Sequence, residues 1–385
     1  MRVAVPKERR EGEKRVALVP DVISKLTRLG YEVVIESGAG LHAQASDELY
    51  QAAGAAVVNG DVLSGADVVL SVQPLEPSQM SSLKKGAVTI SFLSPVTAAD
   101  SIDAAAAAGA TAFSLELVPR ISRAQSMDAL SSQALCAGYR AALVGAELSP
   151  RFFPLLMTAA GTVTPAQVLV LGAGVAGLQA IATARRLGAV VSAYDVRPAS
   201  ADEVRSMGAT FIQLELEALE GAGGYAREMT EERAAKQREL LTPYIAKSHV
   251  VITTAAVPGR TAPRLMTQEM IDAMEPGTII VDLAAESGGN AEGSKPGEIV
   301  ITPGGVRIWG GKDVPSQLPF HASSLYARNV VNLLTLMTQG AAPARDDRPA
   351  TALALNINFD DEIINGAAVT HAGARRTPDA AKAAK

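Results

Sequence analysis

The run VLVLGAGVAGLQA places Gly172, Gly174 and Gly177 in G-x-G-x-x-G spacing, directly after an apolar β-branched stretch and ahead of a helical pattern. Each glycine has its own reason in a strand–turn–helix unit: the first allows the tight turn, the second lets a pyrophosphate approach the backbone, and the third lets helix pack on strand. The helix amides then face the phosphates. Asp195 follows Gly177 by eighteen residues at the end of the next apolar run, where a carboxylate can accept both hydroxyls of a ribose. A carboxylate there would repel a 2′-phosphate, so NAD(H) is favoured over NADP(H). Arg197 is the counter-signal, since an arginine nearby accommodates that phosphate. It also reads as a solvated residue at a helix start.

The rest of the chain alternates in the same way. Strands are expected at 2–5, 32–36, 68–72, 87–92 and 111–114, with helices at 20–29, 46–53 and 98–108. Strands separated by helices of about ten residues imply βαβ units and a mostly parallel sheet. The pattern restarts with a strand at 167–171, a helix at 175–187 closed by Gly188, and strands at 190–194, 249–253 and 278–283. Long helices are expected at 128–148 and 322–337, then a β-like piece near 352–369 and a disordered tail from 372. A chain of 385 residues exceeds what one core usually supports. The expected fold class is therefore α/β, two doubly wound Rossmann-like domains linked by long helices, with 1–133 plus 324–385 in one and 134–323 in the other.

Between Pro119 and Gln133 the chain reads PRISRAQSMDALSSQ, with two arginines, two glutamines, one aspartate and four serines in fifteen residues. A nicotinamide carboxamide offers one acceptor and one donor, so a site for it needs groups of both kinds. Arg120, Gln125, Asp128 and Ser131 supply them; the segment also reads as a polar loop capped by Ser126 or Asp128. TTAAVPG from Thr253 and DLAAESGGN from Asp282 each follow a buried strand, where ligands of open α/β sheets bind, and Thr254 and Ala255 are small enough to let a ribose lie close. Residues 214–232 combine acidic side chains with Gly221, Gly223 and Gly224 around Tyr225, and read as a mobile lid or as a plain solvent loop.

Other chemistry is excluded. A net charge of −5 and a pI near 5.6 leave no basic face for nucleic acid. The one cysteine, Cys136, sits in an apolar helical pattern, and no Cys/His metal spacing or Ser-His-Asp signature is present. The start, MRVAVPKERREGEKR, turns charged at once, and no run of about eighteen apolar residues follows, so a reducing cytoplasmic compartment is expected. The four histidines have no evident carboxylate partners. A dehydrogenase of alcohols or amines moves a proton with its hydride and wants a His or Lys for it. Exchange between two nicotinamide rings needs only that their C4 atoms be close and aligned.

Together these segments resemble the NAD(H)-binding component, domain I, of the proton-translocating NAD(P) transhydrogenase family, which is the first portion of that family's alpha subunit. The resemblance runs end to end, through MRVAVPKERREGEKRVALVP, PRISRAQSMDALSSQ, GAGVAGLQAIATARRLGA, GAGGYAREM, TTAAVPGRTAP, VDLAAESGGN and NVVNLLTLM. It implies that Arg120, Gln125, Asp128 and Ser131 hold the nicotinamide and its ribose. Gly172, Gly174, Val175 and Gly177 would cradle pyrophosphate, and Asp195, Val196 and Arg197 would meet the adenosine ribose. Gly224 and Tyr225 would close the mobile loop, with Thr254 and Ala255 beside the nucleotide. It further implies an Si/Re-specific, proton-translocating enzyme active only with its partners: a small membrane subunit and a beta subunit carrying NADP(H). The chain would be a homodimer, peripheral on the inner face of the cytoplasmic membrane, and its stop at Lys385 resembles the split arrangement of the family. Alanine dehydrogenase is related and is the rival enzyme; Gln73 and Ser94 stand where that family has its lysine and histidine. A non-catalytic NAD(H)-sensing module is the reading from another class.

Overall fold

The computed structural model describes residues 1–216, 230–256, 260–340 and 353–376. Its contacts divide the chain into Met1–Gln133 with Ser316–Lys385, and Ala134–Pro315. The return to the first unit thus comes before the following long helix, not inside it at 324.

The first unit runs β1 (Arg2–Val5), α1 (Pro20–Leu29), β2 (Glu32–Glu36), α2 (Asp47–Ala52), β3 (Ala56–Val58), β4 (Val68–Leu70), α3 (Pro77–Ser81), β5 (Val88–Ser91), α4 (Ala99–Ala107) and β6 (Thr111–Ser114). The sheet order is β3-β2-β1-β4-β5-β6, and every pairing is parallel. Helices cover both faces of such a sheet, so β4, β5 and β6 are buried at every residue and read as unbroken apolar or small runs. Proline at the first helical position and buried Val22, Ile23 and Leu26 set α1 against this core. α5 (Ala129–Leu148) carries the chain out of the unit and holds Cys136, which is buried.

The second unit begins with an exposed hairpin, β7 (Leu156–Thr158) and β8 (Gly161–Val163), that no periodicity announced. It continues β9 (Gln167–Leu171), α6 (Val175–Arg186), β10 (Val190–Tyr194), α7 (Ser200–Ser206), β11 (Thr210–Phe211), α8 (Glu231–Ala246), β12 (Val250–Thr253), α9 (Gln268–Asp272), β13 (Ile279–Asp282), β14 (Ile299–Ile301) and β15 (Arg307–Gly310). The order β11-β10-β9-β12-β13-β15-β14 repeats the plan of the first sheet, with β14 added antiparallel at the edge. In each sheet the strand order reverses beside the first strand, between β1 and β4 and between β9 and β12. The carboxyl ends of those strands are where doubly wound sheets bind ligands.

The chain then returns through α10 (Pro319–Leu336), β16 (Thr338–Gln339), β17 (Ala354–Leu355), α11 (Glu362–Ala367), β18 (Thr370–His371) and β19 (Ala374–Arg375). α10 places Tyr326, Val330, Leu333 and Leu334 in the first unit's core. Two expectations are corrected here. The β-like piece near 352–369 contains a helix, α11, because Asp361 caps it by accepting from the amides of Ile363 and Ile364 while Ile363, Ile364 and Ala367 turn inward. The tail is ordered past 372, where β19 pairs antiparallel with β18. His321 also lies on α10, not in a loop, and His249 precedes β12, where its Nδ1 accepts from the amide of Gln167 at 3.0 Å.

Candidate functional site

The turn from β9 into α6 is built as its glycines require. Gly172 has φ +101°, a left-handed conformation, and a Cβ there would lie 2.6 Å from Thr254 Oγ1. At Gly177 a Cβ would lie 1.9 Å from the carbonyl oxygen of Gly172, so helix and strand close only over a bare backbone. Gly174 differs: a Cβ there meets nothing within 4 Å, and no side chain caps the helix it begins. That open cradle at an uncapped helix start fits a pyrophosphate, with Val175 exposed at the first helical position.

Asp195 ends β10 with its side chain almost buried, and Val196 packs on the apolar cluster beneath. Its Oδ2 accepts from the amide of Ala173 at 2.7 Å and from Arg197 Nη2 at 3.0 Å; Oδ1 accepts from Arg197 N and Nε, both at 2.9 Å. Arg197 is thus the fork on this carboxylate, not a solvated residue, and the hydrogen bonds to Asp195 raise its pKa. The neighbouring loop is fixed from below. Thr254 Oγ1 donates to the Gly172 carbonyl at 3.0 Å, and the amide of Ala255 donates to Asn290 Oδ1 at 3.0 Å. Asn290 returns Nδ2 to the Ala255 carbonyl at 2.8 Å, while Asp282 accepts from the amides of Asn290 and Ala291 and from Thr253 Oγ1. Both Asn290 and Asp282 are fully buried. They organise the loop rather than face a ligand, a role the sequence segment DLAAESGGN did not disclose. Gly224 and Tyr225 lie outside the described residues.

In the first unit, Arg120, Gln125, Asp128 and Ser131 line one cavity of about 320 Å³, together with Pro119, Ile121, Ser122 and Ala124. Asp128 also caps α5, accepting from the amide of Ser131 at 2.9 Å and from its hydroxyl at 2.6 Å. The polar-loop reading and the cavity reading therefore describe the same residues. Asn329 and Asn332 on α10 hold the segment from behind, donating to the Ser126 carbonyl at 2.9 and 3.1 Å, and Ser132 Oγ donates to Asn329 Oδ1 at 2.7 Å.

Beyond these lies a buried polar cluster that sequence reading missed, because its members are far apart in the chain. Glu13 takes Arg15 in a two-pronged pair (Nε to Oε1 2.8 Å, Nη2 to Oε2 2.6 Å), accepts from Gln73 Nε2 at 2.7 Å and from the Ser316 hydroxyl, and Arg15 Nη1 donates to Gln133 Oε1 at 2.9 Å. Burial pushes the Glu13 carboxyl up, but the bonds and charge of Arg15 outweigh it and hold the group at about 2. Glu8 is the reverse case. Burial carries it up to about 7 despite the amides of Val72 and Gln73 that donate to it. Glu8, Gln73 and Ser94 line a second cavity of about 280 Å³ at the carboxyl ends of β1, β4 and β5, with Lys7, Arg9 and Arg10. Gln73 is committed on both sides, since its Oε1 accepts from Arg10 Nη1 at 2.9 Å. Among the described residues no group of His, Cys, Asp and Glu is arranged to hold a metal, and no helix is long and apolar enough to cross a membrane.

Twin sheets of this order with a glycine cradle after the first strand of one define a dinucleotide-binding α/β protein of the Rossmann type. The chain belongs to the alanine dehydrogenase/PNT family, whose N-terminal domain model matches residues 4–137 and whose C-terminal domain model matches 141–375. It is 48% identical over 384 residues to the first of the separate chains that make up NAD(P) transhydrogenase subunit alpha in Rhodospirillum rubrum, covering 97% of each chain. The solved transhydrogenase structure from Sinorhizobium meliloti shares 43% identity and superposes with a TM-score of 0.84 over 98% of this chain and 99% of that one. Alanine dehydrogenase of Mycolicibacterium smegmatis is 34% identical over 302 residues, 77% of this chain and 76% of that protein.

Proposed function

We propose that this chain is the NAD(H)-binding subunit of a proton-translocating transhydrogenase, passing hydride between NAD(H) held here and NADP(H) held by a partner subunit. The observation that carries the reading is the cavity bearing Arg120, Gln125, Asp128 and Ser131, which has planar donors and acceptors for a carboxamide and neither lysine nor histidine in its lining. When bound, the dihydronicotinamide supplies the hydride from its C4. The chain's residues bind and orient it. Gly172, Gly174, Val175 and Gly177 take the pyrophosphate, Asp195 the adenosine ribose with Val196 and Arg197 beside it, and Thr254 and Ala255 flank the nucleotide. Gly224 and Tyr225 are assigned to the same site by family resemblance. The partners are a small membrane subunit and a beta subunit that carries NADP(H) and membrane helices. The chain works as a homodimer, of the Si/Re-specific type, held at the inner face of the cytoplasmic membrane by those partners.

The test is reconstitution with the purified NADP(H)-binding partner. Hydride exchange from NADH to an NADP analogue on mixing, with none from either component alone, is the expected result. Reduction of pyruvate with ammonia and NADH by this chain alone would instead establish alanine dehydrogenase. NADH binding without exchange in the presence of partner would establish a sensing module.

A further inference from the structure

A carboxylate has about four lone-pair positions. At Asp195 four donors of the chain itself fill them: Ala173 N, Arg197 N, Arg197 Nε and Arg197 Nη2, at 2.7 to 3.0 Å. Two are backbone amides fixed by the fold, and two belong to a side chain that can move. A ribose diol brings two hydroxyl donors and finds no acceptor position open.

We infer that Arg197 is a competitive gate on the adenosine ribose site, so that nucleotide binding exchanges its guanidinium fork for the 2′- and 3′-hydroxyls. The inference rests on the NAD(H) reading given above. The geometry fixes what the exchange involves. The side chain of Asp195 is 8% exposed and that of Arg197 24%, so the fork lies at the mouth of the pocket and leaves outward, while the carboxylate stays in place on Ala173 N. The backbone bond from Arg197 N survives the exchange, because it depends on the turn after β10 and not on the side chain. Only the fraction of molecules with the fork withdrawn binds ribose, which lowers the apparent affinity by that fraction. The gate also bears on selectivity. A carboxylate covered by guanidinium is an almost neutral pair and repels a 2′-phosphate less than a bare carboxylate does, so Arg197 both restrains NAD(H) and blunts discrimination against NADP(H).

Arg197→Met keeps the length of the stem and removes the fork; Arg197→Lys keeps a charge that cannot span both oxygens. NADH, AMP and nicotinamide mononucleotide are titrated against the whole chain and both variants, with thermal unfolding recorded for each. Arg197→Met is expected to bind NADH and AMP about three- to tenfold more tightly, Arg197→Lys to gain less, nicotinamide mononucleotide to be unaffected, and the preference for NADH over NADPH to widen. Unchanged or weaker NADH and AMP binding by a folded Arg197→Met overturns the gate. Failure of the wild-type chain to bind either nucleotide overturns the NAD(H) reading itself, a separate outcome.

Discussion

Gly177 faces the carbonyl oxygen of Gly172 at a distance no side chain can share, so Gly177→Ala forces helix α6 off strand β9. The expected cost is about 1–3 kcal/mol of unfolding free energy, the range for overpacking a close contact. Pyrophosphate affinity falls with it, and denaturant unfolding alongside ADP titration checks both. Gly174→Ala is the matched control, because space is open there in the free chain and only the bound pyrophosphate would meet the methyl group. It is expected to lose ADP affinity while keeping wild-type stability. Gln125 tests the other end of the nucleotide. It lines the cavity from an exposed position, so Gln125→Ala is expected to slow hydride exchange more than it weakens NADH binding. Equal losses in the two would reduce its role to simple binding.

At the scale of elements, the 119–133 segment is held in shape by α10, through two asparagine amides on one carbonyl. Asn329→Leu removes the bond to Ser126 O and the acceptor of Ser132 Oγ, at a cost of about 1–3 kcal/mol. Asn329→Asp removes only the donation. Both are expected to slow hydride exchange with the partner while NADH affinity measured by fluorescence changes little; a proportional loss of affinity would show that the loop's shape governs binding and not orientation. This support was not legible in the sequence, because Ser126 and Asn329 are 203 residues apart and neither lies in a recognisable pattern. The glycine turn and the strands of both sheets were legible, since each depends on neighbours within one βαβ unit. The short β3, the β7–β8 hairpin and helix α11 were not, being too brief or too exposed for a period to register. Arg197 was misjudged for a related reason. Its fork on Asp195 needs only two residues of spacing, and such a spacing alone does not separate an ion pair from a solvated side chain.

At the scale of the molecule, two carboxyls of the first unit oppose each other in their response to acid. Glu8 has a pKa of about 7 when folded against 4.5 as the reference, so folding takes up a proton; the stability it contributes is full below 4.5 and is lost as pH rises through 7. Glu13, held at about 2, contributes stability that is present above 4.5 and is lost as pH falls toward 2. Glu8→Gln is therefore expected to flatten the decline in denaturation midpoint between about pH 5 and about pH 7.5. A variant with the wild-type slope would refute the assignment to Glu8.

The first unit is made from both ends of the chain. β6 is joined at its edge by residues from the other terminus, with Thr370 Oγ1 donating to the Ala110 carbonyl and accepting from the amide of Ala112, and α10 supplies a side of the same core. The second unit is continuous from Ala134 to Pro315. During translation the segment made first must therefore wait, its apolar strands uncovered, until the last hundred or so residues emerge, while the stretch made in the middle can finish folding ahead of it. Birth order and completion order are reversed, and a ribosome stalled before α10 would leave an N-terminal half dependent on chaperones.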